Sequence, residues 1–128
     1  MRRVTRGTLL AIGLVLLPAA LAAQEELPEG VTEAMIREGQ RVFGGAGICT
    51  ACHGPQGRGI PNLGADLTDD EWLHSDGSYA GIVRTIREGV PADRSSTGTV
   101  MPPKGGSSIN DDAVARVAAY VWSLRRGS

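Results

Sequence analysis

Both cysteines of this 128-residue chain lie three positions apart, in Cys49-Thr50-Ala51-Cys52-His53, and one of its two histidines directly follows the second. Two cysteines allow one disulfide at most. Here it would close a four-residue ring, and so short a loop restricts the unfolded chain little. The rest of the sequence offers little bulk for an interior, with one Phe, two Tyr and two Trp against 18 Gly. A domain this small is often marginal without a staple or a prosthetic group. The 49–53 cluster therefore bears on how the chain can fold at all.

The possible chemistries of that cluster differ in what they explain. A zinc site takes four ligands as a rule, and the spacing from His53 to His74 fits no familiar zinc pattern. A thioredoxin-like redox pair needs a strand–helix setting, and no strand pattern precedes Cys49. A plain disulfide leaves His53 without a role. Covalent haem attachment uses all three residues. Two thiols about one helical turn apart each add to one vinyl group of a single porphyrin, and the next residue presents its imidazole to the iron. Cys-x-x-Cys-His is the specific signature of that arrangement. A haem would also supply a flat apolar body for a few short helices to pack around.

A second axial ligand is sought among three methionines and His74. Met1 falls in the N-terminal segment, and Met35 sits on the apolar face of a predicted helix, where core packing explains it. Met101 stands in Val100-Met101-Pro102-Pro103-Lys104, within an irregular stretch that the prolines stiffen. The soft thioether of Met101 favours ferrous iron, and His/Met ligation raises a haem's reduction potential. His74 is the competing ligand, with a surface histidine as its simpler reading. Iron held by His53 and Met101 has no open position, which points to electron transfer rather than catalysis. No nucleophile–base pair or carboxylate dyad stands out to suggest an enzyme.

The first residues set the compartment. Met1-Arg2-Arg3-Val4-Thr5-Arg6 is basic, residues 9–17 are apolar, and Ala20-Leu21-Ala22 fits a small-x-small cleavage site. This is the layout of a secretory signal over residues 1–23, leaving one domain over residues 24–128. The apolar run falls short of the ~20 residues that span a bilayer, and nothing after residue 23 is apolar for long enough to do so. Cleavage removes three of the 13 basic residues and none of the 14 acidic ones, for a balance of about −4. That charge excludes a nucleic-acid surface, which needs a basic balance.

The periodicity is helical. Residues 31–43 carry Met35, Ile36, Val42 and Phe43 on one face with Gly39, capped by Thr32 and stopped at Gly44-Gly45. Thr68-Asp69-Asp70-Glu71 reads as a capping box for a short helix holding Trp72 and Leu73. Residues 78–88 align Tyr79, Ile82, Val83 and Ile86, and end at Gly89. Asn110 caps a last helix with Asp111 and Asp112 in its first turn. Ile109 and Val114 form a staple there, Val114, Val117, Ala118, Val121 and Leu124 a buried stripe, and Gly127 the stop. Two long irregular stretches, 54–67 and 90–108, are uncommon in a compact domain unless they bind something.

With these residues in view the chain resembles the class I c-type cytochromes, in their bacterial soluble mono-haem form. The resemblance covers essentially all of residues 24–128. Gly39-Gln40-Arg41-Val42-Phe43 is similar to the family's first helix, whose glycine and aromatic meet the last helix near Ala119-Tyr120. Pro61-Asn62-Leu63 resembles the family's proximal loop, in which a proline carbonyl holds the haem histidine and a leucine packs on the ring. In several members a mid-chain tryptophan contacts a haem propionate, a role that falls to Trp72, with Trp122 also available. The gap from Phe43 to Cys49 departs from the family's usual tighter spacing. The resemblance implies an all-α cytochrome c fold around one haem c with its iron. It also implies a one-electron carrier, not an enzyme, shuttling between periplasmic or membrane redox proteins, with a monomer as the default. The alternatives are a dedicated haem subunit of a periplasmic dehydrogenase or oxidase complex, and an open-site haem enzyme or gas sensor.

Overall fold

The computed structural model describes residues 26–125. The expected signal segment and the stop at Gly127 lie outside the described residues. Four α-helices follow in order: α1 (Glu33–Gly44), α2 (Thr50–His53), α3 (Tyr79–Glu88) and α4 (Asp111–Leu124), with a 3-10 turn at Pro103–Gly106. No strand forms among the described residues. Two isolated bridges, Ile60 with Gly64 and Val90 with Met101, are the only β pairings there.

Each long helix starts where a side chain satisfies its first free amides. Thr32 accepts from the Met35 amide, Ser78 from Gly81 and Asn110 from Ala113, each cap typically contributing ~1 kcal/mol. Their apolar faces meet in one cluster built from Phe43, Ile82, Ile86, Ile109, Val114, Val117, Ala118, Tyr120, Val121 and Trp122. The staple expected from Ile109 and Val114 falls within it.

The crossing of α1 over α4 is the tightest contact of the fold. A Cβ on Gly39 would collide with the Arg116 carbonyl oxygen and come to 2.9 Å from Tyr120 Cβ. One turn on, the Phe43 ring meets Tyr120 edge-on, with centroids 5.2 Å apart and planes at 67°. Arg116 ties the two helices from the outside, pairing with Glu38 on α1 and with Asp112 on its own helix. These groups are partly exposed, so the pairs add at most ~1 kcal/mol each. Burial of Phe43 and Tyr120 carries the contact. On the other side of α4, α3 packs through Ile82 and Ile86, and the Tyr79 hydroxyl donates to the Ala115 carbonyl at 3.2 Å.

The short helix expected around Trp72 and Leu73 does not form. Asp66 Oδ1 accepts from both the amide and the hydroxyl of Thr68 at 2.7 Å, and Asp69 Oδ1 accepts from the Glu71 amide at 3.1 Å. Side chains that capture amides two residues on offer the backbone turns in place of a helical ladder. The residues that read as a capping box therefore make two successive turns.

Gly39→Ala tests the α1–α4 crossing. Overpacking there is expected to cost ~3 kcal/mol in urea unfolding of the purified protein. Gly44→Ala, where an added Cβ meets nothing within 4 Å, should be neutral or slightly stabilising.

Candidate haem site

The gap between Phe43 and Cys49 closes as two tight turns. The amides of Gly45 and Gly47 both donate to the Val42 carbonyl, at 3.2 and 2.8 Å, and Ile48 donates to Gly45 at 2.9 Å. Ile48 sits at φ 49°, a left-handed conformation that is strained for a β-branched residue. The extra residues relative to the family's usual spacing are thus folded back onto the end of α1, and the chain enters α2 directly at Cys49.

Cys49 has helical backbone angles, and its carbonyl accepts from Cys52 at 3.2 Å and from His53 at 2.9 Å. Residues i, i+3 and i+4 of a helical turn share one face, so both thiols and the imidazole are presented together. The structure brings all three to one cleft, which also takes in Leu63, Trp72, His74 and Met101. Its walls are the 54–67 and 90–108 stretches, and Ile82, Ile86, Val117 and Val121 of α3 and α4 line its interior. The cleft is open to solvent. Burial pushes the Cys49 thiol above its ordinary pKa, with a hydrogen bond to backbone opposing this and the neighbouring Cys52 thiol adding to it.

The partner of His53 is the Ala65 carbonyl, 2.8 Å from Nδ1. A carbonyl can only accept, so Nδ1 carries the proton, and in the neutral ring it is Nε2 that has the lone pair. This corrects the expectation that Pro61 orients His53. Ile60 accepts from both Leu63 and Gly64 at 3.0 Å, and Asn62 stands at φ 62°. Pro61 is therefore on the exposed tip of a turn, and the chain that returns from it brings Ala65 alongside α2. Leu63 remains at the cleft but is 38% exposed, whereas Leu67 both lines the cleft and packs on the core. The carbonyl that holds the histidine comes from Ala65, four residues after Pro61, with Leu67 two residues beyond it.

Met101 is fixed by backbone. Val90 donates to the Met101 carbonyl at 2.7 Å, and Met101 donates back to Val90 at 2.8 Å. At the end of α3, Gly89 has φ +72°, and a Cβ there would collide with the Met101 carbonyl and lie 2.7 Å from Pro103 N. The Thr99 hydroxyl donates to the Asn62 carbonyl at 2.9 Å, which joins the two irregular stretches. Met35 does not line the cleft. His74 does, from an exposed position on the 66–77 segment. Trp72 lines it too, and its Nε1–H is buried without a protein acceptor. Trp122 belongs to the buried core on α4.

The residues present suit a haem. The cleft is largely apolar within, two thiols and an imidazole face it from one helical turn, a thioether faces it from a pinned loop, and an indole donor beside it lacks an acceptor. Sequence reasoning missed Ala65 and Leu67, which have no proline to mark them.

Comparison with known proteins bears on what this arrangement is. Residues 34–121 match the family described as cytochrome c oxidase, cbb3-type, subunit III. The chain belongs to that family. It is a mono-haem c-type cytochrome domain of the CcoP/FixP type. Among its relatives, the cbb3-type cytochrome c oxidase subunit CcoP of Azospirillum brasilense is 39% identical over 62% of this chain and 28% of its own length. Subunit FixP of Azorhizobium caulinodans is 30% identical over 95% of this chain and 40% of its own. The chain thus spans well under half the length of these relatives. Cytochrome cL of Methylophaga aminisulfidivorans has a similar structure, with a TM-score of 0.56 and 25% identity over 71% of this chain and 55% of that one. The all-α cytochrome c fold expected from the sequence is therefore the fold observed.

Asp66, next to the carbonyl that holds His53, has its pKa lowered chiefly by the Thr68 hydroxyl, then by the Thr68 amide. A depressed carboxyl stabilises the fold above its unfolded value, ~3.9, and loses that contribution as pH falls through the lower folded value. In Thr68→Ala, an NMR titration should show the Asp66 midpoint move up toward the ordinary carboxylate range.

Proposed function

We propose that this protein carries one haem c, covalently bound through Cys49 and Cys52, and passes single electrons as the haem-bearing part of a respiratory oxidoreductase complex outside the cytoplasm. The observation that carries this reading is the convergence of Cys49, Cys52, His53 and Met101 on one cleft. The relatives favour a complex over the free shuttle that the sequence puts first, since they are named as subunits of cbb3-type oxidases. With His53 and Met101 both holding the iron, no position would be left open for a substrate, which favours electron transfer over catalysis.

The bound haem supplies one-electron oxidation and reduction. Each residue then has a physical task. His53 offers Nε2 because Ala65 holds Nδ1–H, an orientation of the kind that second-shell partners give to ligands. Met101 offers a soft sulfur from a loop that the Val90 bridge keeps from swinging away. Ile82, Ile86, Val117 and Val121 would shield a haem in the cleft from water, and Trp72 Nε1–H would be free to donate to one of its carboxylates. His53 is held by Ala65 and not by Pro61, and Leu63, exposed at the cleft, would pack against the bound group. No helix among the described residues is long and apolar enough to cross a membrane. The secretory reading of residues 1–23 supports a periplasmic position, with other redox proteins as donor and acceptor.

The oxidised protein is expected to show the weak far-red charge-transfer band of sulfur-to-iron ligation. Met101→Ala should abolish the band and lower the reduction potential, and Met35→Ala should leave both unchanged. A band that survives in Met101→Ala would assign the sixth position elsewhere, with His74 the first residue to examine. For the assembly, the tagged protein recovered from its native host in mild detergent should elute with stable redox partners at fixed ratio. Elution as a lone monomer would restore the shuttle reading.

A further inference from the structure

We propose that Arg125, at the C-terminal end of α4, is a positioning residue that holds Trp72 in place for its contact with the bound haem. This role rests on the haem reading above. Trp72 lies in a segment with neither helix nor strand, so no regular element sets its orientation. Its Nε1–H is nonetheless buried and lacks a protein acceptor. A donor left unmatched in a protein interior is costly, and an indole free to move would turn that edge to water.

Two contacts prevent it. On the edge that carries Nε1, the backbone of Gly77 lies so close that a Cβ there would come to 2.5 Å from Cδ1 and 2.6 Å from Nε1. The Arg125 guanidinium carbon lies 5.7 Å from the Trp72 ring centroid and 5.7 Å from that of Trp122. Both distances are within the range of a cation–π contact, and a planar guanidinium suits contact with flat rings. Trp122 is a buried residue of α4 and is 5% exposed. Arg125 therefore couples an indole on an irregular segment to one fixed in the core. The rigid helix reaches through the guanidinium to the side chain that lines the cleft.

The test uses ferrous, haem-loaded protein labelled with nitrogen-15, with the Trp72 indole N–H resonance assigned by its loss in Trp72→Phe. In the wild type this proton should exchange slowly with deuterium. Arg125→Ala should speed its exchange at least tenfold. Arg125→Lys, which keeps the charge but not the flat group, should also speed it. Unchanged exchange in both variants overturns the proposal. Reduction potentials separate positioning from plain charge. Trp72→Phe and Arg125→Ala should each lower the potential, and the double variant should fall no further than the larger single effect. A fall equal to the sum of the two would show that Arg125 acts as a charge on the haem and not through Trp72. If the wild type is recovered without covalent haem, the functional reading fails. The exchange comparison between haem-free wild type and Arg125→Ala then still decides the role of Arg125.

Discussion

One hydrogen bond decides what this cleft offers to a metal. The Nδ1–H of His53 donates to the Ala65 carbonyl, which holds the ring in one orientation and leaves Nε2 of the neutral imidazole as the nitrogen with the lone pair. That bond exists only because the chain after α2 turns at residues 60–64 and comes back beside the helix. The Ile60–Gly64 pairing closes the turn, and Asp66 with Thr68 steadies the next one. The irregular stretch is thus shaped by its own hydrogen bonds, and its shape is what gives His53 a direction.

The opposite wall is held by different means. Met101 is paired through backbone with Val90 at the end of α3, and Thr99 reaches across to Asn62 on the proximal stretch. The Met101 wall therefore refers back to α3, which packs on α4, and the Ala65 wall to the short turn that carries His53. A carrier gains from this, because iron that keeps its ligands in both oxidation states needs little rearrangement when an electron arrives or leaves. The tight Gly39 crossing and the Phe43–Tyr120 contact set the helices themselves. That leaves the inner faces of α3 and α4 to line the cleft.

What the sequence disclosed followed from local rules. Thr32 and Asn110 read as caps because they stand just before amphipathic runs, and the structure starts helices there, whereas Ser78, inside the expected span 78–88, turns out to be the cap of α3. Cys49, Cys52 and His53 were legible because their spacing is itself the geometry of a helical turn. The meeting of Gly39 and Phe43 with α4 near Tyr120 followed from the family's pattern and is what the structure shows. Trp72 and Leu73 were misassigned to a helix because Asp66 and Asp69 compete for the same amides that a capping box would use. Pro61 was misassigned because a turn of four residues cannot be placed by composition. Pro61 and Ala65 both lie shortly after the helical turn of His53, and only the path of the backbone tells which carbonyl faces it. Arg125 gave no signal, since its partners are 53 and three residues away and share no period with it.

The central claim is that one haem is bonded to both thiols of the 49–53 turn. The most direct measurement is the intact mass of the protein, produced in a host that matures c-type cytochromes and recorded under denaturing conditions after treatment with a thiol-alkylating reagent. A single species carrying one haem and no alkyl groups is expected, with Cys49→Ala and Cys52→Ala each weakening or abolishing attachment. A haem-free chain with both cysteines alkylated, or joined to each other, would contradict it.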